Sequence, residues 1–273
     1  MLAHVTMGLI SYHVLRTNMY FDLTGEVTMF LLIGHRYAAS ARTPRQTRVA
    51  ALALLWCARL GWFLFARIAR RPGNVDFRFD NLIKGGAAYS LFGWCSQATW
   101  IFLQGFCLWA LFAAPDTDAG APFNAGDALG ALVFALGFCV EIVADRQKSA
   151  FNAAAHAAGG RNPCFIAKGL WRYSRHPNMF GECVLWLGLS LACAGGLPKN
   201  PSVGGVPVLT KHQHMCGVSP VWSAVFLFFT SLMLLEKRAD QKWGGQAEYE
   251  SYKARTPILV PWCPASATTA KND

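Results

Sequence analysis

The densest concentration of potential chemistry in the chain is the segment 168–178, which reads Lys-Gly-Leu-Trp-Arg-Tyr-Ser-Arg-His-Pro-Asn. Arginine side chains bind phosphate through paired hydrogen bonds, so Arg172 and Arg175 are candidates for holding an anionic ligand. Trp171 and Tyr173 offer aromatic faces on which a planar ring could stack. The segment therefore predicts a pocket for an anionic, planar ligand. The alternative is a positively charged loop that sets membrane orientation and contacts lipid head groups.

Polar residues continue on both sides of this segment. His176 and Asn178 close it, and Glu182 lies one turn inside the apolar run that follows. An ionisable group inside a membrane span is costly and by default indicates a functional site. His176 is weighed equally as a ligand-binding and as a structural residue. The end of the preceding apolar run carries a further polar set, namely Glu141, Asp145 and Lys148.

The third polar stretch follows the last apolar run. Glu236 and Asp240 are four residues apart, which places them on one face of a helix, and Tyr252 follows in the tail. One interpretation is a second wall of the same pocket. The other is a solvated helix end with local ion pairs.

The elements that must position these residues are membrane helices. Hydrophobic residues make up 53% of the 273 residues and charged residues only 15%, against about 25% charged in soluble domains. A spanning helix needs about 20 mainly apolar residues, and the runs that qualify are 23–40, 49–66, 88–114, 127–144, 180–197 and 217–235, with 1–20 as a weak seventh. We expect an all-α, multi-pass transmembrane bundle of six to seven spans, a single domain over 1–262, and a disordered tail over 263–273.

The loops between these runs differ in charge. Lysine and arginine together number five in 67–84, none in 115–126, six in 145–179, two in 198–216 and six after 236. The positive-inside rule therefore puts the three polar stretches on the cytosolic side. Arg42, Arg45 and Arg48 contradict this alternation, because they lie before the second span and would face the other side. The net charge of +10 is explained by topology, and we expect no nucleic-acid partner.

Several familiar sites are excluded. The nine cysteines form no Cys-x-x-Cys pair, which argues against a disulfide framework or zinc knuckle. No G-x-G-x-x-G or G-x-x-x-x-G-K-[ST] motif occurs, so a nucleotide would have to be held by side chains between helices. His212, His214 and Cys216 are metal-ligand types without a neighbouring carboxylate, and we expect no metal site.

Three motifs together carry a family resemblance. The segment 169–178 followed by Phe180-Gly-Glu, the segment 141–148, and Glu236-x-Arg-Ala-Asp followed by Tyr-x-x-Tyr-Lys-x-x-Thr-Pro resemble the steroid 5-alpha-reductase-like membrane proteins, including their DUF1295 branch. The similarity runs from about residue 20 to 262. Met179 stands where that family has Tyr. The residues that polarise the substrate carbonyl in steroid 5-alpha reductases are not recognisable, and Arg59 and Tyr20 are weak stand-ins, so the catalytic residues stay unknown.

The resemblance implies an NADPH site between the C-terminal helices and their cytosolic loops. The implied cofactor contacts are Glu141, Asp145, Lys148, Arg172, Arg175, His176, Asn178, Glu182, Asp240 and Tyr252. The implied reaction is NADPH-dependent reduction of a carbon–carbon double bond conjugated to a carbonyl, in a lipid or sterol-like substrate. The host membrane would be the endoplasmic reticulum in a eukaryote or the inner membrane in a bacterium.

Two alternatives stay open. Isoprenylcysteine carboxyl methyltransferases, which use S-adenosylmethionine, share the Arg-His-Pro string before a span, although their tail has a paired Glu-Glu where this chain has Glu236-Lys-Arg. The second alternative is a non-catalytic, lipid-binding relative.

Overall fold

The computed structural model describes residues 2–70, 79–114, 122–157, 164–196 and 211–263. Throughout these ranges the chain forms helices and their connections, without a strand. The α-helices are α1 (Leu2–Ile10), α2 (Phe21–Ala38), α3 (Pro44–Ala69), α4 (Asn81–Lys84), α5 (Ala87–Gln104), α6 (Phe106–Phe112), α7 (Ala125–Ala157), α8 (Pro177–Gly195), α9 (Lys211–Cys216), α10 (Val218–Phe226), α11 (Met233–Trp243) and α12 (Ala247–Arg255). Two π-helical turns, Ser11–Leu15 and Leu227–Leu232, and a 3₁₀ turn, Gly169–Arg172, complete the described elements. All-α architecture is confirmed. The predicted tail beyond Cys263 lies outside the described residues.

Four of the described helices are long and apolar enough to cross a membrane: Pro44–Ala69, Ala125–Ala155, Pro177–Gly195 and the continuous run Gln213–Trp243. The pair α5–α6 adds a fifth if it counts as one span bent by 51°. Only 17–50% of the residues in the four apolar windows are buried within the protein. Apolar surface of that extent requires an apolar solvent, which indicates a multi-pass integral membrane protein.

The expected count of six to seven spans is not confirmed. Helix α2 occupies the place of the first expected span but does not qualify as a membrane span, because its 18 residues include the charged Asp22, Glu26 and Arg36. The N-terminal segment Leu2–Leu15 is apolar but short.

By its internal contacts the chain divides into two compact units. Unit 1 comprises Met1–Ala131 and Leu189–Trp222, and unit 2 comprises Leu132–Gly188 and Ser223–Asp273. The predicted single domain over 1–262 stays a prediction.

Unit 1 is held at one end by a buried ion pair. Thr43 and Gln46 form a reciprocal capping box at the start of α3, with Pro44 at its first position, an arrangement that satisfies two backbone N–H groups. The cap fixes Arg45, whose Nε and Nη2 atoms each lie 2.6 Å from a carboxylate oxygen of Asp127. The two side chains are 1% and 4% exposed. A bidentate pair in such a site locks the start of α3 to the start of α7.

The bend between α5 and α6 falls at Gly105, in the middle of the predicted run 88–114. A bend frees backbone groups that a straight helix would pair. The indole Nε1 of Trp109 donates to the carbonyl of Phe102 at 2.9 Å, and Ser219 Oγ accepts from the N–H of Cys107 at 2.9 Å. These hydrogen bonds provide partners for backbone groups near the bend, as an apolar environment requires.

Unit 2 is built around a very close helix contact. A Cβ atom placed on Gly181 of α8 would lie 2.7 Å from both the backbone N of Glu141 and the backbone O of Gly137 on α7. Only residues without side chains permit backbones to approach this closely. The contact brings the polar end of α7 beside the start of α8.

Candidate functional site

The segment 168–178 folds into a 3₁₀ turn that is pinned to α7. Gly169 has φ +62, a conformation that glycine adopts without strain. The N–H of Leu170 donates to Gln147 Oε1 at 2.9 Å, and the indole of Trp171 donates to the carbonyl of Ala144 at 3.1 Å. Trp171 is therefore buried, and the ammonium of Lys148 lies 4.5 Å above its ring.

The C-terminal tail runs alongside this segment in the opposite direction. The N–H of Arg175 donates to the carbonyl of Pro257 at 2.9 Å, and the N–H of Trp262 donates to the carbonyl of Tyr173 at 3.0 Å. Ser174 adds a bond from its hydroxyl to the carbonyl of Leu259 at 2.6 Å. The motif and the tail consequently form one hydrogen-bonded layer within unit 2.

Glu236 of α11 is the common partner of the two most distinctive motif residues. Its Oε2 lies 2.6 Å from Arg175 Nη1 in an ion pair, and its Oε1 lies 2.7 Å from His176 Nε2. Burial lowers the pKa of His176, and the nearby charges of Lys148 and Arg175 act in the same direction, against Glu236, which raises it. The imidazole is thus neutral near pH 7. Since a carboxylate only accepts, Nε2 carries the proton.

An open groove of about 680 Å³ lies beside this cluster, within the roughly 300–1,000 Å³ of small-molecule sites. Its lining residues are Arg175, Met233, Glu236, Lys237, Asp240, Gln241, Lys253 and Ile258. Five of them belong to α11 at the i, i+3, i+4, i+7, i+8 spacing of a single helix face. The groove therefore has one helical wall and an opposite wall made by the motif and the tail.

Asp240 of α11 binds two side chains of α12. The Oδ1 atom of Asp240 accepts hydrogen bonds from the hydroxyl of Tyr249 at 2.9 Å and from Lys253 Nζ at 2.6 Å. The rings of Trp243 and Tyr249 pack against Phe165. Burial raises the pKa of Tyr249, and its bond to Asp240 raises it further. The phenol therefore stays protonated and keeps donating to the carboxylate.

The residues predicted to contact a cofactor all lie in unit 2 but do not form one lining. Arg175 and Asp240 line the groove, and His176 lies behind Arg175 on the shared carboxylate. The hydroxyl of Tyr252 is bonded to the carbonyl of Trp171 at 2.7 Å. The other predicted residues lie elsewhere in unit 2, with Glu141 and Asp145 buried on α7, Lys148 over the Trp171 ring, Arg172 exposed beside Tyr173, and Asn178 and Glu182 half-buried in the first turns of α8.

One expectation about the motif needs correction. Trp171 cannot stack on a ligand because it is buried and bonded to α7. Tyr173 is exposed, with the Arg172 guanidinium 5.7 Å from its ring, and it lies outside the lining of the groove, so stacking by Tyr173 stays a prediction. Glu236, by contrast, is the hub of the cluster, although the sequence pattern places it only on a second wall. Its four-residue spacing from Asp240 is the signal that could have identified it.

A second, smaller cavity of about 180 Å³ lies in unit 1 between α2 and α3. The carboxyl of Glu26 belongs to its lining, next to the thiol-bearing Cys57 and apolar side chains such as Leu23 and Phe30. Neither Tyr20 nor Arg59 belongs to this lining.

The structure offers no arrangement for a metal ion in the parts it describes: no group of three His, Cys, Asp or Glu side chains is suitably placed. The side chain of His212, from the sequence candidate around His214, lies outside the described residues.

The sequence model of one protein family matches residues 10–256, nearly the whole chain, and that family is described as a protein of unknown function, DUF1295. No curated protein matches the chain, and no solved structure matches it.

Proposed function

Because the chain belongs to the DUF1295 family, we propose that it is a membrane oxidoreductase related to the steroid 5-alpha reductases. In this proposal it reduces a carbon–carbon double bond conjugated to a carbonyl, in a lipid or sterol-like substrate, with NADPH. The observation that carries the proposal is the groove of unit 2, which is lined by the cationic side chains Arg175, Lys237 and Lys253 and includes part of the Arg-His-Pro motif.

The lining of the groove fits a phosphate-bearing dinucleotide. Arg175, Lys237 and Lys253 are cationic and Glu236 and Asp240 anionic, which leaves a net charge of +1. Glu236 holds the Arg175 guanidinium in place. Ligand binding therefore loses less side-chain entropy than it would with a freely rotating arginine. Met233 and Ile258 supply apolar surface for the rings, since no aromatic side chain lines the groove in the described part of the chain.

Bound NADPH would supply the hydride for the reduction. The chain's own contribution in this region is to bind and orient. Arg175 and Lys237 would hold phosphate oxygens, while Glu236 and His176 would fix the position of Arg175 from behind. The residue that hydrogen-bonds the substrate carbonyl is left unassigned.

The charge distribution supports a cytosolic location of the groove. Its charged residues come from the stretches 145–179 and 236–273, which carry six lysines and arginines each, and such stretches face the cytosol. The same proposal includes α2 and the N-terminal helix as further spans, which would give six to seven in all. The membrane would be the endoplasmic reticulum in a eukaryote or the inner membrane in a bacterium.

The test is ligand binding followed by turnover with the full chain in lipid nanodiscs. We expect NADPH to raise the unfolding temperature, because a ligand that binds only the folded state stabilises it, and NADPH to be oxidised when a lipid enone is added. Arg175→Ala should weaken NADPH binding, while Arg238→Ala, a change of the same kind on α11 outside the groove, should not.

The same titrations separate the alternatives. Stabilisation by S-adenosylmethionine and not by NADPH would replace the reductase with a methyltransferase. Binding of neither, or of NADPH without turnover across a panel of lipid enones, would support a non-catalytic relative and refute the proposed activity.

A further inference from the structure

The three cationic side chains of the groove differ in their partners, because two of them form ion pairs with carboxylates of the protein. Arg175 is paired with Glu236 at 2.6 Å, with side chains only 13% and 14% exposed. Lys253 is paired with Asp240 at 2.6 Å. Within the described chain no carboxylate pairs with Lys237, although it lines the same groove. The net charge of +1 is therefore localised on Lys237.

Lys237 occupies the middle of the α11 wall of the groove. The lining residues of this helix run from Met233 to Gln241, a rise of about 12 Å at 1.5 Å per residue. Lys237 lies halfway, one turn from the apolar end and one turn from the Asp240 end. Lys242 of the same helix points away from the groove, with its ammonium 4.6 Å above the Trp243 ring.

We propose that Lys237 is the residue that selects a ligand bearing a phosphomonoester, and that it distinguishes NADPH from NADH through the 2′-phosphate. The inference rests on the proposed function and deepens it. A phosphomonoester carries a charge of about −1.5 to −2 at neutral pH and three strong acceptor oxygens. A lysine ammonium is a compact point charge suited to such a group. Only NADPH carries the 2′-phosphate. A cation that binds this group therefore raises the affinity for NADPH and not the affinity for NADH.

Lys253 is a second lysine of the groove that could bind a ligand phosphate. Its pair with Asp240 is 32% and 44% exposed, and exposed ion pairs contribute little, so the ammonium can be drawn to a ligand phosphate at small cost. Replacing Asp240 by Asn would release Lys253 and raise the charge of the groove by one. Asp240→Asn should therefore tighten phosphomonoester binding and make it more sensitive to salt.

The experiment is isothermal titration of the full chain in nanodiscs with NADPH and, separately, NADH. The wild-type protein should prefer NADPH. Lys237→Gln should weaken NADPH about tenfold, as expected for one charge-assisted contact, and leave NADH unchanged. Lys237→Arg should retain the preference, and Lys242→Gln, which removes the same charge outside the groove, should change neither affinity.

The outcomes are distinguishable. If wild-type protein binds both dinucleotides and Lys237→Gln leaves their affinity ratio unchanged, the assignment of Lys237 is overturned while the proposed function stands. The assignment is also overturned if Lys242→Gln reproduces the loss, because the effect would then be a long-range one. If the wild type binds neither dinucleotide, the proposed function is refuted and the assignment of Lys237 with it.

Discussion

Replacement of Glu236 by Gln tests the central cluster most directly. The substitution keeps the size and the polar atoms of the side chain but removes its charge. In the wild type the carboxylate lies 2.6 Å from Arg175 Nη1 and 2.7 Å from His176 Nε2. The variant would leave the Arg175 guanidinium, 13% exposed, without its counter-charge.

The burial of this ion pair sets the expected loss in the free energy of unfolding. Removing one partner of a buried ion pair costs about 3–5 kcal/mol, because the remaining charge is desolvated and unpaired. The pair in question retains some solvent contact, and the Gln carbonyl can still accept one hydrogen bond. We therefore expect Glu236→Gln to lower the free energy of unfolding by about 2–3 kcal/mol.

The assay is reversible denaturant unfolding of the full chain in mixed micelles, with the unfolding slope compared between variants. Glu248→Gln, an exposed change of the same kind on α12, serves as control and should shift the unfolding free energy by less than about 0.5 kcal/mol. Arg175→Met and the double variant complete a mutant cycle, in which we expect a coupling above about 1 kcal/mol.

The role of Glu236 can be refuted by the same measurements. If Glu236→Gln lies within about 0.5 kcal/mol of the wild type and the cycle shows no coupling, then Glu236 is not the hub that orders Arg175. The groove would then lack its preorganised wall.

Three further predictions concern packing, pH and the second ion pair. Gly181→Ala should destabilise by at least about 2 kcal/mol because its Cβ meets backbone of the neighbouring helix, whereas Gly34→Ala, which faces open space, should stabilise by about 0.5–1 kcal/mol in the same unfolding assay. The lowered pKa of His176 makes its contribution to stability complete above the unfolded value of 6.5 and progressively lost as the pH falls towards the folded value; His176→Gln should flatten the pH profile of unfolding on the acidic side of that unfolded value. Asp127→Asn removes the negative charge that faces the 1% exposed Arg45 and should cost about 3–5 kcal/mol, and an unchanged midpoint would show that the pair is dispensable.

The helices were predictable from the sequence because their signal is local. Apolar length anticipated α3, α7, α8 and the last long helical run, although α7 and the last run both extend well past the ends predicted for them at 144 and 235. The bend at Gly105 was not anticipated, since the run 88–114 has no charge to interrupt it. Its partners are Trp109 and the distant Ser219, and a packing partner far along the chain leaves no periodic signal.

The candidate site shows the same division. Residue types and helical spacing placed Glu236 and Asp240 on one face, and the structure has both on the wall of the groove. The aromatic face of Trp171 suggests stacking on a ligand, whereas packing against α7 buries it. Helical periodicity tells which residues share a face but not which distant element will cover it. The cofactor contacts themselves stay predictions.

Composition and helical periodicity are therefore enough to show that the chain is helical, apolar enough for a membrane, and polar in three separate stretches. Those properties depend on composition and on the regular rise of a helix, both of which are local. The tertiary structure adds that Glu236 joins Arg175 to His176, that Asp240 pairs with Lys253, and that Lys237 has no carboxylate partner among the described residues. Glu236 and His176 are 60 residues apart in the chain, so their pairing is fixed by the packing of the helices and not by the individual sequences of those helices.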